Sequence, residues 1–352
     1  MKMLCDNALK RLAELMDIIS PSMQEGEMRE YLINSWQTIV PDGTINVDTM
    51  GNLEFSVVRD SNFPTLALVA HADTVCVQIT QHIGGGKYRF RSIGCSPHML
   101  LGQNVIIVNE AGKKFNGVVG FDATSQFGQP KGLVFEDLWI DTFNPRPSIQ
   151  PGDLAVLAPQ FNVNGDFITG PALDDRLGLF VIGEVLRRYA AGNIPLNLSC
   201  VATVQEEVGL RGSLAFEFSH HPDAVIVLDA DYATDIPAHH EDQMGRLYPG
   251  LGPGVLRKAD NSPNLRKLIQ SVASSRELPL QVSLGRFVYG GTDCSSLQMH
   301  RDIKGSPIAN ITIPVRYMHS PAETASLADV THAIELLTGL IETMPDSMTI
   351  IK

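Results

Sequence analysis

The 352-residue sequence predicts an α/β protein: a mostly parallel sheet flanked by helices, with a small β-barrel inserted into it. Three observations carry this reading. From Asp174 onward, stretches of helical periodicity alternate with short apolar runs. Between about residues 75 and 165 the texture changes to short apolar runs, glycines and turn residues, with no long helical pattern. Several apolar runs also stop abruptly at histidine, aspartate or glutamate, and ligands of open α/β sheets bind beyond the carboxyl ends of the strands.

Taken in order, residues 6–19 place Leu9, Leu12, Leu15, Met16 and Ile19 at helical spacing, and Pro21 closes the segment. A second helix is expected from Glu25 to Ile39, followed by a turn at Pro41-Asp42-Gly43 and strands at NLEFSVV and TLALVA. In the β-rich stretch, NVIIV, GVVG and LAVLA read as strands, and Gly84 to Gly86 as a hairpin turn rather than a phosphate loop. Helices are then expected at RLGLFVIGEVLRRYA, PNLRKLIQSVASS and LADVTHAIELLTGLIETM, with strands at NLSCVATV, DAVIVL and ANITIPV. The simplest assembly is an α/β domain split into residues 1–74 and 166–352, with residues 75–165 as the insert.

Composition narrows the partners. A formal net charge of -12 with no basic stripe excludes nucleic acid and anionic membrane as expected partners. No apolar run reaches the length of a membrane span, and charges interrupt the first twenty residues where a signal peptide needs an apolar core. Five scattered cysteines with no Cys-x-x-Cys pair fit reduced thiols, so a cytoplasmic setting is expected.

The abrupt strand ends recur. TLALVA runs into His71 and Asp73, NLSCVATV into Glu206-Glu207, DAVIVL into Asp229 and Asp231, and ANITIPV leads to His319. Asp174-Asp175 stands just before a helix. Each has an ordinary explanation: a helix cap, a solvated loop acid, a hydrogen-bonded His–Asp pair. Together they form a set of imidazoles and carboxylates suited to borderline divalent cations. The candidates outnumber what one tetrahedral ion needs, so two ions sharing a carboxylate would use them. Such a pair acidifies a bridging water and polarises a carbonyl, and a further carboxylate is then needed as general base. No Gly-x-Ser-x-Gly or recognisable cysteine nucleophile competes with this. His239, His240, Glu241 and Asp242 lie in a polar loop without helical ligand spacing, and His220-His221 precede Pro222 as a turn.

Six ordered segments, AHADTV (70–75), ALDDRLG (172–178), QEEVGLRGS (205–213), VLDADYATDIP (227–237), GGTDCSSL (290–297) and PVRYMHSPAE (314–323), make the chain resemble the M42 metallo-aminopeptidases. The resemblance implies a zinc-peptidase-like fold and two divalent ions, zinc or cobalt with manganese as a third choice. It places His71, Asp174 and Asp229 on one ion, and Asp174, Glu207 and His319 on the other, with Asp174 bridging. It makes Glu206 the general base and Asp73 the group that fixes the His71 ring. Apart from the resemblance, Thr292 and Asp293 are expected to line the substrate pocket. The resemblance further implies peptide substrates cut at the N-terminus and a homo-oligomer of dimers building a dodecamer, with the insert as dimerisation domain. The first segment departs from the family's His-x-Asp-Glu-x-Gly, because Thr74, Val75 and Cys76 follow Asp73. The alternatives are a deacylase or glycan hydrolase using the same ions, and a metal-stabilised assembly protein without catalysis.

Overall fold

The chain enters through two helices, α1 (Asp6–Met16) and α2 (Gly26–Ile39), in a computed structural model that describes residues 4–121, 132–237, 244–285, 290–300, 303 and 305–351. In α1 the residues Ala8, Leu12 and Leu15 bury one face, and in α2 Met28, Leu32 and Trp36 do so at intervals of four, as an amphipathic helix on a sheet requires. Three strands follow, β1 (Thr44–Val47), β2 (Leu53–Val57) and β3 (Thr65–His71). Six residues of β3 in succession are buried, the mark of a central strand covered on both faces.

The strands β4 (Cys76–Gly84), β5 (Lys87–Ile93), β6 (Asn104–Val108), β7 (Lys114–Phe121), β8 (Leu138–Asp141) and β9 (Leu154–Leu157) close on themselves in the order β4-β5-β8-β7-β6-β9. Every pair in this barrel is antiparallel. The barrel has its own apolar core around Val77, Ile79, Tyr88, Ile107 and Ile140. The only helix between its strands, among the described residues, is the single turn α3 (Pro97–Leu100), besides a 3-10 turn at Phe135–Asp137. Gly84 and Lys87 pair across the expected hairpin turn.

β10 (Asn162–Asn164) and β11 (Phe167–Gly170) form a hairpin that joins the large sheet through a later strand, Glu323–Ser326. Residues 162–164 thus pair with the large sheet, although the sequence groups them with the insert, because their partner is the adjacent β11. The rest of the large sheet comprises β12 (Asn197–Thr203), β13 (Ala224–Tyr232), β14 (Gly254–Leu256), β15 (Gln281–Ser283), β16 (Ile308–Arg316) and β17 (Glu323–Ser326). Its main path runs β1-β2-β12-β3-β13-β16-β17-β11-β10, with β14 and β15 attached beside β16. The four central strands, β12-β3-β13-β16, are mutually parallel, so their carboxyl ends lie along one edge.

Helices α4 (Leu173–Ala191), α5 (Arg211–Ala215), α6 (Pro263–Ser275), α7 (Asp293–Leu297) and α8 (Leu327–Ile351) complete the fold. α4 is buried along most of its first half and packs with α1, α2 and α8 over the sheet. No helix among the described residues is long and apolar enough to cross a membrane.

Candidate active site

The four parallel strands deliver their acids and histidines to one place. His71 is the last residue of β3, Asp229 lies within β13, Glu206 and Glu207 follow β12, and His319 follows β16. β13 continues through Asp229 and Asp231 to Tyr232, so these acids sit on the strand rather than beyond it, held by pairing with β16. Asp174 comes from the opening turn of α4, where Asp174 and Asp175 depart from helical backbone angles and are joined by a cis peptide.

His71 Nε2 is 2.9 Å from Asp174 Oδ1 and 3.9 Å from Asp229 Oδ1. His319 Nε2 is 3.4 Å from Asp174 Oδ2 and 3.2 Å from Glu207 Oε1. Candidate ligand atoms of His71, Asp174 and Asp229 lie within 4.8 Å of one another, as do those of Asp174, Glu207 and His319. The two groups share Asp174. The His239–Asp242 stretch lies outside the described residues.

Behind these groups, Asp73 is fully buried and accepts from Ser22 Oγ at 2.7 Å and from the backbone N–H of Glu206 and Glu207 at 2.9 and 3.2 Å. The nearest partner of His71 Nδ1 is the Asp73 backbone carbonyl at 3.1 Å, with Oδ1 of the same residue at 3.4 Å. Asp73 therefore orients the histidine mainly through its main chain and spends its carboxylate on the turn that carries both glutamates. Asp175 accepts from Gly178 N at 2.9 Å, the reach of a helix cap, and from His71 N at 3.3 Å.

Two groups without an assigned role in the sequence complete this layer. Glu323 accepts from Asp174 N at 3.1 Å and from His319 N at 2.7 Å, clamping two candidate ligands by their backbones. It closes the PVRYMHSPAE segment, so its position was visible while its task was not. The Gly94 carbonyl, from the barrel side, lies 3.1 Å from His319 Nδ1. No local pattern signals that contact.

Charge is crowded here. Burial, reinforced by Asp174 and Asp175, pushes the Asp229 carboxyl well above its ordinary range. Burial likewise raises Glu206, with Glu207 and Asp293 adding to it against His71. Glu207 is raised by burial and Asp174, although His319 opposes. For Asp174 burial is outweighed by hydrogen bonds from His319 and His71, which hold it below the usual carboxylate range. Burial, then Asp174, pushes Glu323 up to about 8. Glu207 Oε1 is buried with no hydrogen-bond partner among the described residues, although His319 Nε2 lies 3.2 Å away. Nitrogen and oxygen donors, mutually repelling buried acids and an orphaned carboxylate oxygen all fit divalent cations.

The groups open onto a cavity of about 440 Å³. Glu206 is on its wall yet belongs to neither ligand group. Thr292 lines it as well, and its Oγ1 is buried with no hydrogen-bond partner among the described residues, as is that of Thr312. Asp293 departs from expectation: it is absent from the cavity wall, because its carboxylate is taken by the hydroxyls of Thr203 (2.5 Å) and Ser213.

The M42 glutamyl aminopeptidase family model matches residues 39–336. A protein of Acetivibrio thermocellus provisionally named an aminopeptidase is 32% identical over 94% of this chain and 97% of its own. An aminopeptidase from the archaeon Desulfurococcus kamchatkensis superposes with a TM-score of 0.88 at 26% identity, covering 98% of both chains. The Pyrococcus horikoshii TET1 peptidase, described as assembling into a tetrahedron or a large octahedral shell, has a TM-score of 0.81 at 26% identity over 95% of this chain and 99% of that one. With the family model spanning most of the sequence and these relatives matching it nearly end to end, the chain belongs to the M42 family of peptidases.

Proposed function

We propose that the chain is a metal-dependent aminopeptidase that removes N-terminal residues from peptides at a two-ion centre. The observation that carries this is the pair of ligand groups sharing Asp174, with Glu206 beside them on the same cavity wall. His71, Asp174 and Asp229 would hold one ion, and Asp174, Glu207 and His319 the other; zinc, cobalt or manganese suits the donors. Ions held there would supply Lewis acidity toward the scissile carbonyl and a water.

Glu206 is the general base. Burial raises the proton affinity of its carboxyl, the direction that favours accepting a proton. It accepts a proton from the attacking water and delivers it to the nitrogen of the leaving amine. Asp73 holds the Glu206-Glu207 turn and, through its carbonyl, the His71 ring. The unpartnered hydroxyl of Thr292 is a hydrogen-bonding contact for the substrate.

The reading extends to assembly and setting. Residues 75–165 serve as a self-association domain, and dimers build a dodecamer; the Pyrococcus horikoshii relative described as forming a tetrahedron or an octahedral shell supports self-assembly. Five free cysteines support a reducing, cytoplasmic setting.

The test is elemental analysis of the purified protein coupled to rates on aminoacyl-4-nitroanilides and their N-blocked counterparts with zinc, cobalt and manganese. Metal-dependent cleavage of the free-amine substrates alone is expected. Preference for the blocked substrates, or bound metal without turnover on either set, would overturn the peptidase reading. Light scattering that finds a stable monomer at all metal concentrations would remove the assembly.

A further inference from the structure

Glu25 stands at the start of α2, yet its side chain does not cap that helix. It is only 5% exposed. Its Oε1 accepts two backbone hydrogen bonds, from Met23 N at 2.8 Å and from Gln205 N at 3.2 Å. Both donors belong to residues other than glycine in the left-handed region, with φ of 80° and 55°. Such conformations persist where the surroundings over-determine them, and they gather at functional sites.

The amides of Gln205, Glu206 and Glu207 are consecutive. The first donates to Glu25 and the next two to Asp73 Oδ1 and Oδ2. Two buried carboxylates thus take three successive N–H groups of the turn, and neither Glu25 nor Asp73 is among the residues lining the cavity that Glu206 and Glu207 line. Asp73 grips the two glutamates themselves. The carboxylate of Glu25 reaches the residue before them, where the backbone reverses into its left-handed angle.

We propose that Glu25 is a positioning residue for Glu206. Its carboxylate holds Gln205 in the conformation that aims the Glu206 side chain into the cavity. The inference rests on the reading of Glu206 as general base. The competing explanation is that Glu25 merely stitches the Pro21–Glu25 loop through Met23; that role would alter stability and leave turnover alone.

The experiment compares Glu25→Ala and Glu25→Gln in the full, metal-loaded protein. Glu25→Ala is expected to lower kcat about 10- to 100-fold, the range for losing an outer-layer hydrogen bond, with KM and metal content unchanged. Glu25→Gln, whose amide oxygen can accept the same two N–H groups, is expected to recover most of the rate. Hydrogen–deuterium exchange without substrate should show faster exchange of the amides at residues 205–207 in Glu25→Ala. Unchanged kcat, a rise in KM alone, no recovery in Glu25→Gln, or unchanged exchange at 205–207 would each overturn the proposal. Should the wild type cleave no aminoacyl substrate, the peptidase reading fails by itself, and the exchange comparison still decides whether Glu25 holds the turn. Should Glu25→Ala not fold, Glu25→Gln carries the test: near-wild-type kcat and exchange support the proposal, and loss of both overturns it.

Discussion

Glu206 and Glu207 are adjacent in sequence and differ in what surrounds them. Glu207 lies 3.2 Å from His319 and belongs to a ligand group, whereas Glu206 lines the cavity outside both groups. Glu206→Gln should keep the metal content and lower kcat about 10²- to 10⁴-fold, the usual contribution of a general base. Elemental analysis with nitroanilide kinetics checks this, and a variant near the wild-type rate would remove Glu206 from the chemistry. Asp174 is the donor common to both groups. Calorimetric titration of Asp174→Ala should therefore show both binding events weakened, while His319→Ala weakens one and spares the other. Equal loss in the two variants would count against a shared carboxylate. The acids at strand ends were legible one by one in the sequence; which of them ligate, and which support, depends on these distances.

At the scale of elements, four parallel strands set the site and the barrel reaches into it. The carbonyl of Gly94, just beyond β5, lies 3.1 Å from His319 Nδ1. Gly94 has φ of 80°, and a Cβ placed there would meet Val75 Cγ1 at 2.3 Å. Gly94→Ala should thus shift this loop and weaken binding of the ion proposed for Asp174, Glu207 and His319 about 10- to 100-fold, leaving binding at the other proposed group unchanged. A metal titration that finds both affinities unchanged would sever the barrel from the site. The helical layer makes a contrasting case. Trp36 of α2 is 1% exposed and packs on Phe55 of β2 with ring centroids 6.0 Å apart, and neither lines the cavity. Trp36→Ala should cost about 3–5 kcal/mol in denaturant unfolding and leave metal stoichiometry intact. The helical spacing that buries Met28, Leu32 and Trp36 is written in the sequence; the partner of that face is not.

For the whole molecule, the apolar core and the charged site make opposite demands. Apolar clusters cover the two faces of the large sheet and need no ion to pack, by their composition, while the site gathers buried carboxylates that repel one another. Removing metal by chelation should therefore leave the far-ultraviolet circular dichroism intact and lower Tm. Restoring free ion to about a thousandfold over Kd should return about 4 kcal/mol. Unchanged Tm on complete removal would show that the acids do not need a cation for balance.

The sequence by itself determined the long helices, the central strands, their order and the chemical types that end those strands, because periodicity and apolar runs are local properties. It also located the β-rich stretch between β3 and α4, through glycines and short strands. It left open that β12, β3, β13 and β16 would lie side by side, since strand order is a matter of long-range pairing. Only the tertiary structure recruited Glu25 to Gln205, Glu323 to Asp174 and Gly94 to His319, across separations of 180, 149 and 225 residues. It likewise withdrew Asp293 from the cavity, by supplying hydroxyls from Thr203 and Ser213. Contacts between residues so far apart leave no periodic trace along the chain, so they become readable only when the sheet brings them together.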